Sequence, residues 1–399
     1  MGRRERENLV EIEKRVLYLS PFVKEISVQK IDEEMIALIY PDFDAMKKHH
    51  IINIESNIKW YAVELYNLDH IDGIKLDGYR IVQESLSTAA AGEKKEKVSI
   101  DEPYDEVYRE IKAYLQSVTT EPVCPASHLE LDLGLDSLDY VMLFIFLEKS
   151  FGLHMDEALF AELMIVHDLY LWVYKHKKTY NRTQISWSDI LEEKSREKLI
   201  YSPNIMMAWK IALLPFFKLY FRLEVTGREN LPSEPFIIAP THYSMLDGFI
   251  VLATLPSPIL KKSFFLAYEG EFGTPWLKPI AKYSQMLLID IDKNLKASLQ
   301  RTALPLIESQ NLVLFPENAR SRDGKLLEFK KFFAILSKEI NAPIVPTLLQ
   351  GTFEAMPAGK IFPKRTKVTI KYLKPVYPNG MSYDELSDRV KNTLRAELQ

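Results

Sequence analysis

From about residue 201 onward, five short apolar runs recur between helix-length segments: "PFIIAPTH", "SQMLLIDI", "NLVLFPE", "APIVPTLLQG" and "KVTIKYL". Such runs, alternating with helical stretches, predict an α/β domain built on a mainly parallel sheet over 201–399. The first 200 residues lack that rhythm, so the 399-residue chain is multidomain, with parts of different architecture. Residues 1–95 read as a small α+β subdomain. Ile12, Val16 and Leu19 have helical spacing, "VKEISVQ" and "MIALIYP" are strand-like, and a helical stretch follows from about Ile52 to Leu65. "LSTAAAGEKKEKVSIDEP" (86–103) is a linker by composition. Residues 104–178 read as an all-α, four-helix domain: Val107, Ile111, Leu115 and Val118 share one helical face, and "LDYVMLFIFLEKSFG" closes on Gly152.

The net charge of −4 is unevenly spread. Residues 1–199 carry 25 basic and 37 acidic side chains (−12), and residues 200–399 carry 26 and 18 (+8). Halves of opposite sign either dock on one another, set the basic half on an anionic surface, or simply belong to unrelated domains. No nucleic-acid partner is expected. A single cysteine, Cys124, excludes an internal disulfide framework and a cysteine metal cluster. With no signal-peptide pattern at the N-terminus, a reducing cytoplasm is the expected compartment.

"NIMMAWKIALLPFFKLYFRL" (204–223) approaches spanning length but is interrupted by Lys210, Pro215, Lys218 and Arg222. It is either a core helix leading into the α/β domain or a helix lying in the membrane interface. Basic residues among Trp209, Phe216, Phe217, Tyr220 and Phe221 favour the interface. The expected location is therefore peripheral, at the inner face of the membrane.

"DLGLDSLDYV" places Ser137 at a helix start, where a serine is ordinarily a cap. Its setting is more specific. "LELDLGLDSLDYVMLFIFLEKSFG", with its aspartate-serine-leucine signature and apolar helix, resembles an acyl carrier protein, and the resemblance extends over 104–178. It implies that Ser137 carries 4′-phosphopantetheine, installed by a phosphopantetheinyl transferase and bearing a fatty acyl thioester. The run Val141 to Leu147 could bury one face and leave another for an acyl chain, and residues 101–178, with 15 acidic and 6 basic side chains, suit docking on basic partners.

"THYSMLDG" sets His242 and Asp247 five positions apart at the end of a strand, where α/β sheets gather their sites. A carboxylate bonded to an imidazole fixes its tautomer, and the other nitrogen can take a proton from a hydroxyl. Together with "LFPENARSRDGKLLEFKK" and "APIVPTLLQG", this block resembles the glycerolipid acyltransferase family, which includes glycerol-phosphate and lysophosphatidate acyltransferases. The resemblance implies that His242 is the general base and Asp247 its orienting partner. It implies further that Phe315, Pro316, Glu317 and Arg320 shape the acceptor pocket and that Ile344, Val345 and Pro346 line the site. Two departures stand out. Asn318 and Ala319 replace the usual glycine-threonine, and Ile291, with Lys293 nearby, stands where an arginine usually holds the acceptor's phosphate.

"GRRERENLVEIE" followed by "YLSPFVKEISVQ" resembles the C-terminal subdomain of adenylate-forming enzymes such as acyl-CoA synthetases. Glu93 falls where their catalytic lysine belongs, beside Lys94, and no Gly-rich phosphate loop occurs. The chain is not expected to activate a fatty acid by itself. A separate adenylating core would then be a partner, with this segment either the tail of a longer polyprotein or a degenerate domain kept for docking. The combined expectation is an enzyme that moves a fatty acyl group from its own carrier to a hydroxyl of a lysophospholipid or related lipid acceptor, with no metal. The alternative is an acyl carrier and docking module with a weakened acyltransferase domain, part of a larger fatty-acid activation system.

Overall fold

The computed structural model describes residues 3–31, 34–68, 70, 73–86, 100–155, 159, 162–181, 186–192, 198–272, 274–289, 295–360 and 362–398. The chain forms two compact units, one within 1–185 and the other within 186–399.

In the first unit a helix, α1 (Arg3–Leu19), packs on a three-stranded sheet of β1 (Val23–Ile31), β2 (Glu34–Pro41) and β3 (Gly78–Ile81). β1 and β2 pair antiparallel, as their short connection requires, and β3 adds to β2 in parallel. Ile12 and Val16 meet Val28, Ala37 and Ile39 in the core, so the helical spacing read from the sequence is the packed face. β3, only four residues long, shows no clear alternation in the sequence. The same unit holds the helices α2 (Glu106–Val118), α3 (Ser137–Phe151) and α4 (Val166–His176). Three helices of this part are thus described; residues 156–158, 160 and 161 lie outside the described residues, as do Glu93, Lys94 and most of the linker.

The apolar run of α3 is more enclosed than its sequence suggests. Val141 and Leu143 to Leu147 are buried, and Tyr114 stacks on Phe146 with ring centroids 4.3 Å apart. No broad apolar face of this helix is left open to an acyl chain: its apolar run is buried, and Tyr114 and Tyr180 of neighbouring segments lie against Phe146 and Phe151. Gly152 ends the helix at φ 62, a left-handed conformation that glycine adopts without a Cβ penalty. The loop before α3 is also anchored. Both carboxylate oxygens of Glu130 accept backbone N–H bonds, from Ile54 and Glu55, each at 2.8 Å. These amides head the helical stretch 54–68, whose own first-turn side chains leave them uncapped. Gln83 Nε2 donates to Asp132 Oδ1 at 2.8 Å, and Leu131 packs against the core of the small sheet.

The second unit is a seven-stranded sheet between two helical layers. Its strands are β4 (Glu224–Thr226), β5 (Ile237–Pro240), β6 (Ser263–Tyr268), β7 (Met286–Ile289), β8 (Asn311–Val313), β9 (Ile344–Gln350) and β10 (Thr369–Tyr372), in the order β4-β10-β9-β5-β8-β6-β7. All adjacent pairs are parallel except β10 with β9. The five apolar runs all enter this sheet; β4 and β6 join them unforeseen. On one face lie α5 (Pro203–Tyr220) and α6 (Leu246–Thr254), sharing a core with Ile238, Val345 and Ile370. On the other lie α7 (Leu295–Ile307), α8 (Phe332–Ile340) and α9 (Tyr383–Leu398), sharing a core with Ile237, Ala239 and Ile344. Successive residues of β5 thus alternate between the two cores, the period-two signature of a strand covered on both sides. Among the described residues no helix is long and apolar enough to cross a membrane.

Candidate active site

β5 runs through the middle of the sheet between β9 and β8 and delivers the chain to His242. The backbone is still held past the strand: Thr241 N donates to Thr347 O at 3.0 Å, and Leu349 N donates to Thr241 Oγ1 at 3.0 Å. A tight turn follows, and Asp247 enters as the second residue of α6. Asp247 is fully buried. Its Oδ2 accepts the backbone N–H groups of Tyr243 and Ser244, both at 2.7 Å, and stands 3.1 Å from His242 Nδ1. Three donors therefore converge on one oxygen, which fixes the carboxylate before it orients the ring. With Nδ1 facing a carboxylate, the neutral imidazole carries its proton there, and Nε2 is left to accept one.

The opposite side of the turn is secured by the loop after β8. Phe315 stacks on the imidazole, with centroids 3.9 Å apart and planes at 21°. Ser321 N donates to His242 O at 2.9 Å. Glu317, buried, accepts from His242 N through Oε1 and from Leu327 N through Oε2, both at 2.7 Å. Burial pushes its carboxyl up to about 7; the two backbone N–H bonds pull downward and the neighbouring Asp247 pushes upward again. Both oxygens are thus engaged by the backbone, so Glu317 straps two loops together rather than presenting a free carboxylate to an acceptor. Nothing within either segment signals this strap, which joins residues 75 positions apart.

The other expected residues divide. Arg320 lies half-buried on the Phe315–Ser321 loop, two residues past Asn318 and next to the Ser321 that bonds His242. Ile344 and Val345 do not line the site: each belongs to one of the two cores, on the strand that pairs β5. They back the strand that carries His242. Asn318 has φ 54, a left-handed conformation that glycine and asparagine tolerate better than other residues. Replacing the usual glycine by asparagine therefore keeps this turn buildable. Ile291 and Lys293 lie outside the described residues. No group of three or more His, Cys, Asp or Glu among the described residues could hold a metal ion.

The second candidate position is Ser137, the first residue of α3. It is not the cap. Asp136 caps the helix by accepting from Leu138 N and Asp139 N, and Asp139 returns the bond to Asp136 N at 3.0 Å. The serine hydroxyl, half-exposed, is left without a hydrogen bond among the described residues. A free hydroxyl at the positive end of a 15-residue helix fits attachment of a phosphate-linked arm.

A buried aspartate orienting a partly exposed histidine at the carboxyl end of a parallel strand is an arrangement that can move a proton to and from a bound hydroxyl. Residues 222–350, within the second unit, match the family model described as Acyltransferase. Similar proteins carry the same description. The 1-acyl-sn-glycerol-3-phosphate acyltransferase of Limnanthes douglasii is 32% identical over 173 residues, covering 42% of this chain and 59% of its own length. The 1-acyl-sn-glycerol-3-phosphate acyltransferase alpha of Ovis aries is 27% identical over 200 residues, covering 47% and 67%. The crystal structure of the 1-acyl-sn-glycerophosphate acyltransferase PlsC from Thermotoga maritima aligns at 23% identity and a TM-score of 0.40, covering 49% of this chain and 86% of that one. The chain spans little more than half the length of the first relatives it matches (59%, 59% and 53%).

Proposed function

We propose that the chain is a lysophosphatidate-type acyltransferase that moves a fatty acyl group from a thioester to a hydroxyl of a lysophospholipid acceptor. The observation that carries this reading is the His242–Asp247 pair, held at 3.1 Å inside the region that matches the acyltransferase model. His242 Nε2 takes the proton of the acceptor hydroxyl as its oxygen bonds to the donor carbonyl carbon. The C–S bond then breaks, and the imidazolium returns the proton to the departing sulfur. Ester and free thiol are the products, and His242 is restored. Asp247 supports the transient imidazolium, worth most in a buried, water-poor setting. Glu317 positions His242 through its backbone, and we assign acceptor contact to Arg320 on the adjoining loop.

For the donor, we propose that Ser137 holds 4′-phosphopantetheine, placed there by a phosphopantetheinyl transferase. When bound, that group supplies the thiol on which a fatty acyl chain is carried. The free Ser137 hydroxyl at the head of α3 supports this assignment. Linkage in one chain raises the effective concentration of donor at the acceptor site. A separate adenylating core would load the carrier. The outer face of α5, with exposed Ile205, Ile211, Phe216 and Leu219, supports peripheral contact with a membrane, where the lipid acceptor resides.

The test is intact-mass measurement of the whole chain after incubation with a phosphopantetheinyl transferase and an acyl-CoA, followed by addition of lysophosphatidate. The expected sequence is a gain of acylated arm, then its return to the free thiol with acylated lipid formed. A loaded arm that no lipid acceptor discharges would overturn the transfer; an unmodified Ser137 would overturn the donor.

A further inference from the structure

The outer face of α5 ends beside a loop that the acyltransferase chemistry does not use. Tyr220, on the last turn of α5, stacks on Phe216 with centroids 5.3 Å apart and donates its hydroxyl to Pro363 O at 3.0 Å. Pro363 is flanked by Phe362, whose side chain is 85% exposed, and by Lys364 and Arg365, both exposed. An isolated exposed phenylalanine is unremarkable. This one adjoins the residue that Tyr220 bonds, at the end of a helix that itself exposes 69% of Ile211 and 77% of Leu219. Lys218 and Arg222 are exposed at the same end of the helix, and none of these four cations has an ion-pair partner among the described residues.

The loop is also wired to the catalytic turn. Lys364 N donates to Ala355 O at 2.7 Å, and Ser244 Oγ donates to the adjoining Met356 O at 2.7 Å. Ser244 in turn gives its backbone N–H to Asp247. A short run of hydrogen bonds therefore joins the base of the Phe362 loop to the residues that orient His242.

We propose that the segment 362–365 is a second lipid-contacting element beside α5, with Phe362 entering the acyl boundary and Lys364 and Arg365 meeting the phosphates of an anionic phospholipid surface. The proposal deepens the lipid-acceptor reading above, on which it rests. Apolar side chains at the tip with unpaired cations around them match an interface whose outer layer is anionic and whose inner layer is apolar. An acidic protein surface would satisfy the cations but leave Phe362 and Leu219 unaccounted for. Because the loop base is bonded next to Ser244, contact with the surface would be felt at the turn that holds His242 and Asp247.

The experiment is co-sedimentation of the whole chain with vesicles of phosphatidylcholine alone and of phosphatidylcholine with phosphatidylglycerol, without any acyl donor. F362S is expected to lower partition to both vesicle types about tenfold, and F362W to restore it. K364E/R365E is expected to lower partition to the phosphatidylglycerol vesicles at least tenfold and to leave the neutral ones unchanged. Unchanged partition in F362S and in the double variant overturns the proposal. So does normal vesicle binding combined with slower transfer from the acyl-loaded carrier, which would make the acidic carrier the occupant. Vesicle binding is read without catalysis, so failure of acyl transfer and failure of this contact are separate results.

Discussion

Ser137 is the first residue of α3 and His242 lies on the turn that leads into α6, yet the molecule treats them in opposite ways. His242 is enclosed: Asp247 faces its ring, Phe315 stacks on it, and Glu317 and Ser321 bond its backbone. Ser137 is relieved of structural duty, because Asp136 and Asp139 satisfy the helix head without it. On the function proposed above, the contrast separates two requirements. A base must be fixed to within a fraction of an ångström to take a proton on demand. An attachment point must instead be reached by a modifying enzyme, so its hydroxyl is left free.

The contrast can be broken in four places. S137A should abolish phosphopantetheinylation outright, read by intact mass, since no other group at this turn offers a hydroxyl at a capped helix start. A modified S137A chain would move the attachment site elsewhere. H242A should lower acyl transfer by roughly 10²–10⁴-fold with an unchanged melting curve. Equal rates would remove His242 from the chemistry. D136A should destabilise the first unit by about 1 kcal/mol in a denaturant melt, the usual cost of a lost cap. If S137A destabilised it more than D136A, the division of labour at that turn would be wrong. N318G should change the stability of the second unit by only a few tenths of a kcal/mol, whereas N318V should cost about 1–2 kcal/mol, because a β-branched residue resists φ 54.

Glu317 sharpens the same comparison through pH. Its carboxyl, pushed up to about 7 by burial, holds a proton in the folded protein that the unfolded chain has already released above its ordinary value of 4.5. Folded protein therefore binds more protons than unfolded between those values, and this group's contribution to stability falls as pH rises through that window. E317Q should flatten that segment of the stability–pH profile, measured by denaturant melts from pH 4.5 to 7.5. It should also slow transfer several-fold, because an amide cannot accept both backbone N–H bonds. An unaltered profile would mean that Glu317 is not the group that titrates.

Much of the sheet was legible from sequence because each of the five apolar runs is bounded by helix-length polar segments. β4 and β6 were not: Glu224–Thr226 is too short to show a period, and "SFFLAY" resembles a buried helix segment as readily as a strand. The His242–Asp247 contact was legible because both partners sit within one turn of chain. The Glu317 strap was not, since its partners meet only when β5 and β8 pair. Ser137 was legible as a helix start, but which residue caps that helix depended on the directions of Asp136 and Asp139, which spacing alone does not give. The openness of α3 was overread, because a run of apolar residues does not reveal how many neighbours cover it.

Were Ser137 to hold the proposed arm, the carboxylate of Glu130 would set how far and how fast that arm travels. By bonding the amides of Ile54 and Glu55, it couples the loop before Ser137 to the small sheet. Any excursion of Ser137 then drags that second body along, so the cargo tumbles with the drag of the pair rather than of a helical domain alone. Amide relaxation rates shared by α2–α4 and β1–β3 would mark such joint tumbling, and E130A, which leaves the Gln83–Asp132 bond and the Leu131 packing in place, should let the two diverge only in part in correlation time.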